Sequence, residues 1–236
     1  MTLPSSLESI GNYVFNGCTA LTEITIPDSC TSIGNYAFNG CTALSEITLS
    51  TSLETIGEYA LSGSAIQTIS LPNSLKTIGK GAFKQCAALT QIQIPDSCTS
   101  LGESAFSYCS SLTSVIFPSF SSMNIPTRAF EYCTALTEIR MSEFCTSIGD
   151  YAFQGCSKLP KVTIPYYTTS IGTYTFYNCT ALSEISLGKN LSSIGNNAFT
   201  FCTNLLTIYN SSSLSLTKGS TAYGGVAYYA TRIVDR

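Results

Sequence analysis

Eleven cysteines and fourteen acidic side chains are what this chain of 236 residues offers for chemistry, and they would suit metal binding, disulfide formation or acid–base work. Eight cysteines (Cys18, Cys41, Cys86, Cys109, Cys133, Cys156, Cys179 and Cys202) share one column, each three residues after a phenylalanine. The other three, Cys30, Cys98 and Cys145, stand where equivalent stretches carry Leu7, Leu53, Leu75 and Leu191. Cysteine that exchanges with leucine inside one chain reads as a small buried hydrophobe. Zinc would need clustered ligands, and the chain has no C-x-x-C pair and no histidine, so no metal site is expected. Thiols stacked with parallel Cβ vectors also suit disulfide geometry poorly.

Acid–base chemistry is no better served. Without histidine the common general base is missing, and Ser–His or Cys–His activation of a nucleophile is impossible. Glu23, Glu46, Glu138 and Glu184 line up in one column, but they read as a solvated face. No phosphate loop, dinucleotide fingerprint or nucleophile elbow occurs, so neither an enzyme nor a cofactor is expected. Charged residues are 11% of the chain with a net charge of −3, and no basic stripe exists to hold phosphates, which argues against nucleic acid. No apolar run approaches the roughly 20 residues a membrane span needs. The opening MTLPSSLESIG lacks the basic start and apolar centre of a secretory signal.

The columns exist because the chain repeats. One isoleucine or leucine recurs at Ile10, Ile33, Ile56, Ile78, Leu101, Ile125, Ile148, Ile171 and Ile194, in steps of 22 to 24 residues. A period in that range, with L-x-x-I-x-I in each copy, predicts a leucine-rich repeat solenoid: a right-handed coil of α/β type with mostly β content. Each unit holds an alternating strand such as LTEITIP (21–27), an extended Ser/Thr stretch ending in glycine, and a piece such as NYAFNGC (35–41) read as one helical or 3-10 turn on the convex side. Glycine is taken to allow the reversal after the second piece. The alternation predicts Glu23, Thr25, Glu46, Thr48, Thr68, Ser70, Gln91 and Gln93 outside, with Ile24, Ile47, Ile69 and Ile92 buried beneath. Phe15, Phe38, Phe83, Phe106, Phe130, Phe153, Phe176 and Phe199, with Leu61 as the exception, predict an aromatic spine. Residues 1–210 form the array and 211–236 a degenerate capping repeat. Distortion is expected in the third unit, one residue short, and in the sixth, one residue long with Pro126 at the glycine position. Leu3-Pro4 falls where Leu71-Pro72 does, so the chain opens inside a repeat, as a fragment of a longer protein or with an open edge suited to self-association.

The unit I-G-x-x-A-F-x-x-C-x-x-L-x-x-I-x-I-P resembles the repeat of the BspA-like leucine-rich repeat family along essentially the whole chain. The resemblance implies a surface or secreted protein of the kind found mostly in host-associated bacteria, many members being regarded as adhesins or host-protein binders. Its shared positions are structural, so it transfers no site residue. Where many leucine-rich repeats carry a buried asparagine after the strand, this chain has Ser6, Ser29, Ser52, Ser74 and Ser97, then Phe120, Phe144, Tyr167 and Asn190.

Those three rings, with Tyr166 beside the last, mark the candidate partner surface, rimmed by Glu138, Arg140 and Lys161. An apolar stripe edged by charge suits an interaction patch. The other reading is that the rings fill space left by the longer sixth unit. The functional expectation is a non-enzymatic extracellular binding or adhesion module that takes a protein or glycan partner, host surface or matrix molecules among them, on the sheet face and its edge. The alternative is a structural spacer in a larger cell-surface protein.

Overall fold

The computed structural model describes residues 2–119 and 122–236. It is a parallel-strand solenoid of about ten coils with almost no helix. Every coil but the third contributes a three- or four-residue strand to one face, the first two being Glu23–Thr25 and Glu46–Thr48, paired in register Glu23 to Glu46 and Ile24 to Ile47. Side chains alternate across such a strand, so the isoleucine points inward and its two polar neighbours point to solvent. A second parallel ladder, not foreseen from the sequence, joins two-residue strands such as Ser9–Ile10, Ser32–Ile33 and Thr55–Ile56.

Between the ladders the phenylalanines stack. Phe83, Phe106 and Phe130 follow one another at centroid spacings of 5.1 and 5.5 Å with their planes nearly parallel, and all three are fully buried. The spacing is that of hydrogen-bonded coils, about 4.8 Å between strands, so ladder and stack reinforce each other. The cysteines do more than fill space. Each thiol of the main column from Cys41 onward donates to a carbonyl one coil back: Cys109 to Phe83 at 3.1 Å, Cys133 to Phe106 at 3.2 Å, Cys202 to Phe176 at 3.0 Å. Those carbonyls already accept the backbone N–H of the cysteine in their own coil, Cys86 on Phe83 at 3.1 Å and Cys109 on Phe106 at 3.2 Å, so the thiol fills the second lone pair and adds a bond between coils. Burial pushes the Cys86 thiol up to about 11 and Cys202 to about 12, and raises Cys133 further, so these groups carry almost no thiolate at neutral pH. All eleven are free, and Cys18 alone is exposed. A thiol reagent added to the native chain at neutral pH should modify one cysteine quickly and the remaining ten only on denaturation; fast modification of more than two would contradict this core.

Three expectations need adjustment. The piece read as a helical or 3-10 turn is only weakly so: it keeps separate i→i+3 bonds, Asn39 N–H to the Tyr36 carbonyl and Cys41 N–H to that of Phe38, without winding into a helix. The N–H groups of Tyr13, Phe15 and Gly17 donate outward to the carbonyls of Asn35, Ala37 and Asn39 in the next coil, at 2.8 to 3.0 Å. Left-handed residues punctuate it, with φ 56° at Tyr36 and 72° at Gly40, and a right-handed helix cannot contain them. Among the described residues the one helix is the 3-10 turn Tyr223–Gly225. Nor does the frame glycine serve a reversal. A Cβ on Gly79 would lie 2.6 Å from the carbonyl carbon of Gly57 and 2.7 Å from the nitrogen of Glu58, so glycine lets neighbouring coils approach. Finally, Ile69 is half-buried where Ile24, Ile47 and Ile92 are buried, because the third coil forms no strand on that face.

The ladders break where unit length changes. The first face runs Glu23–Thr25 to Glu46–Thr48, resumes at Gln91–Gln93 after the short coil, and continues through Ser114–Ile116 to Glu138–Arg140. The second ends at Ser100–Leu101, and past the long coil, among the described residues, an isolated bridge, Ile125 to Ile148, precedes its next run. There Asn124 Oδ1 replaces a backbone acceptor, taking the N–H groups of Thr146 and Ser147 at 2.9 and 3.0 Å. A further break, between Glu138–Arg140 and Lys161–Thr163, has another cause. Thr113 and Thr137 each donate an N–H to the preceding coil at the position that Pro160 occupies, and proline has none to give.

Candidate binding surfaces

Phe144, Tyr166 and Tyr167 are 40, 46 and 47% exposed, which assigns the rings to the surface rather than to a gap in the core. Phe144 and Tyr167, one coil apart in the same column, stack at 5.5 Å with planes 9° apart. Tyr166 meets Tyr167 edge-on at 4.9 Å. Phe120, the third ring foreseen for this column, lies outside the described residues.

The column is free to carry rings because its usual polar duty moves next door. Ser29 Oγ donates to the carbonyls of Ser5 and Leu7 at 2.9 and 2.8 Å, and Ser74 and Ser97 do likewise to the coil before them. In the coil of Tyr167 it is the buried Thr168 whose Oγ1 donates to the Cys145 carbonyl, at 2.7 Å. The foreseen rim divides. Glu138 and Arg140 pair with each other at 2.7 Å, both well exposed, a contact worth roughly 0–1 kcal/mol. Lys161 is exposed on the next strand, in register with Glu184.

Two features escaped the sequence reading. Beside Tyr166 lies an open hollow of about 460 Å³, floored by Ile164, Leu187 and Gly188 and edged by Lys189 and Arg236. Its floor is apolar and its rim cationic. On the turn side, Tyr13, Tyr36 and Tyr59 stack at 4.9 and 5.0 Å, and a Cβ on Gly81 would meet the Tyr59 ring. The recurrence of tyrosine three residues after the frame isoleucine was the available signal for that stack.

A family model for the BspA type leucine-rich repeat region matches in six copies, over residues 8–137 and 123–224. No curated protein matches the chain by sequence. Among solved structures, the leucine-rich repeat protein of T. pallidum is 32% identical with a TM-score of 0.63, the match covering 68% of this chain and 77% of that one. A leucine-rich repeat protein of Eubacterium ventriosum is 23% identical with a TM-score of 0.56, covering 96% and 69%. The latter likeness is one of fold.

Proposed function

The chain belongs to the BspA-type leucine-rich repeat family, and from that premise we propose that it is a non-enzymatic binding module of a surface or secreted protein, which engages a protein partner through its exposed aromatic stripe. The observation that carries this reading is the exposure of three contiguous rings, Phe144, Tyr166 and Tyr167, at the sheet edge. Large aromatic side chains left in water have a cost that a partner removes, and such rings are typical anchors of interfaces. Their geometry favours a protein over a glycan. Sugars stack on open ring faces, and Phe144 and Tyr167 each spend one face on the other. The adjoining hollow can accept an apolar side chain on Ile164 and Leu187, with Lys189 and Arg236 placed for a nearby carboxylate.

Simultaneous Phe144→Ser, Tyr166→Ser and Tyr167→Ser should leave the melting temperature within a few degrees of the parent and abolish capture by immobilised extracellular-matrix proteins. A well-folded triple variant that binds such a panel unchanged eliminates the stripe as the partner surface; early melting instead would return the rings to the core.

A further inference from the structure

We propose a second ligand site, for an uncharged oligosaccharide, in the hollow where the strand face splits at the third coil. The hollow holds about 360 Å³, within the range of roughly 300–1,000 Å³ usual for small-ligand sites, and its polar wall is Ser70, Asn73, Gln91, Gln93 and Ser114. It exists because the third unit is one residue short. Among the described residues, Thr68 to Leu71 make no backbone hydrogen bond to the strand on either side, whereas the other neighbouring coils are joined on this face by a ladder, except at the break before Lys161–Thr163 that Pro160 accounts for.

The lining decides the ligand class. Gln91, Gln93 and Asn73 each combine an N–H₂ donor with a carbonyl acceptor, and Ser70 and Ser114 add hydroxyls, so the wall can answer groups that both give and take a hydrogen bond. Sugar hydroxyls do both. Isoleucine, leucine and proline supply apolar surface for the C–H face of a pyranose. Among the described residues no charged side chain lines the hollow. Along the strand column the carboxylates of Glu23 and Glu46 give way to Thr68, Gln91 and Ser114 before Glu138 restores the charge. A sialylated or sulfated sugar would find no cation there and a carboxylate on either flank. An extended peptide joining the sheet as a strand would need an open edge, and the third coil already runs between Glu46–Thr48 and Gln91–Gln93. The site is separate from the aromatic stripe.

The test is a printed panel of uncharged gluco-, galacto- and manno-oligosaccharides beside sialylated and sulfated ones and unstructured peptides, followed by calorimetry on the hits. Binding of uncharged oligosaccharides is expected, weakened about tenfold or more by Gln91→Ala with Gln93→Ala, as the loss of two hydrogen-bonding side chains implies. Ser70→Trp, which fills the hollow from an exposed position, should block it, and the triple serine variant of the stripe should leave it intact. Absence of any uncharged ligand at millimolar concentration, preference for acidic sugars or peptides, or binding indifferent to both hollow variants would overturn the proposal.

Discussion

Phe106→Ala should destabilise the chain by about 3–5 kcal/mol, the usual result of removing a packed aromatic ring. The ring is fully buried and stacked on both sides, on Phe83 and Phe130, so truncation leaves a void bounded by two rigid aromatic faces and by coils fixed through the hydrogen-bonded backbone. Backbone bonds between Phe106 and Ala129, and between Phe83 and Ala105, hold the coils at their spacing, so the void cannot close by simple collapse. Thr48→Ala, on the exposed side of a strand, should stay within about 0.5 kcal/mol. Thermal melts of the two variants check the ranking, and the reverse order would contradict the assigned spine. Because each coil touches only its neighbours, amide exchange should show the loss around Ala105 and Ala129 before it reaches the ends.

What could be read in advance was whatever has a period. The frame isoleucines, the alternating strands and the phenylalanine column each recur at fixed offsets and bury the same face each time, so their burial followed from spacing. The second ladder did not announce itself, because two-residue strands such as Ser32–Ile33 are too short to alternate. The turn piece was read as more helical than it is for a related reason. Ala, Phe and Cys at spacings of one and three imitate a helical turn, and nothing in a tyrosine predicts the left-handed φ of Tyr36 or Tyr59, which the inter-coil hydrogen bonds impose. The aromatic column of Phe144 and Tyr167 was legible as a departure from serine, but its exposure was not, since that depends on Thr168 taking over the buried hydrogen bond. For the third coil the missing residue marked where distortion would fall. The hollow it opens became visible only with the ladders on either side in place.

Gly79→Ala is the second large effect expected, at about 3 kcal/mol or more, from the addition of a single methyl group. The methyl would sit 2.6 Å from the Gly57 carbonyl carbon, 2.7 Å from the Glu58 nitrogen and 2.8 Å from the Gly57 oxygen, all backbone atoms that no rotamer change can move. Relief requires the two coils to part, and the bond from the Gly79 N–H to the Ile56 carbonyl, 2.8 Å long, together with the pairing of Thr77–Ile78 on Thr55–Ile56, resists that. Gly40 supplies the control. It has φ 72°, yet its nearest neighbour would be 3.9 Å from an added Cβ, so Gly40→Ala meets only the left-handed penalty of about 1–2 kcal/mol. Chemical denaturation should therefore rank Gly79→Ala well below Gly40→Ala, although only Gly40 has an unusual backbone angle. The chain contains a natural version of the same argument. In the sixth coil Pro126 occupies the frame-glycine position, and there the ladder to the preceding coil is already interrupted, between Ser100–Leu101 and Ile125. If Gly79→Ala proved as mild as Gly40→Ala, close approach of coils would not be what reserves this column for glycine, and the proline in the sixth coil would need a different account.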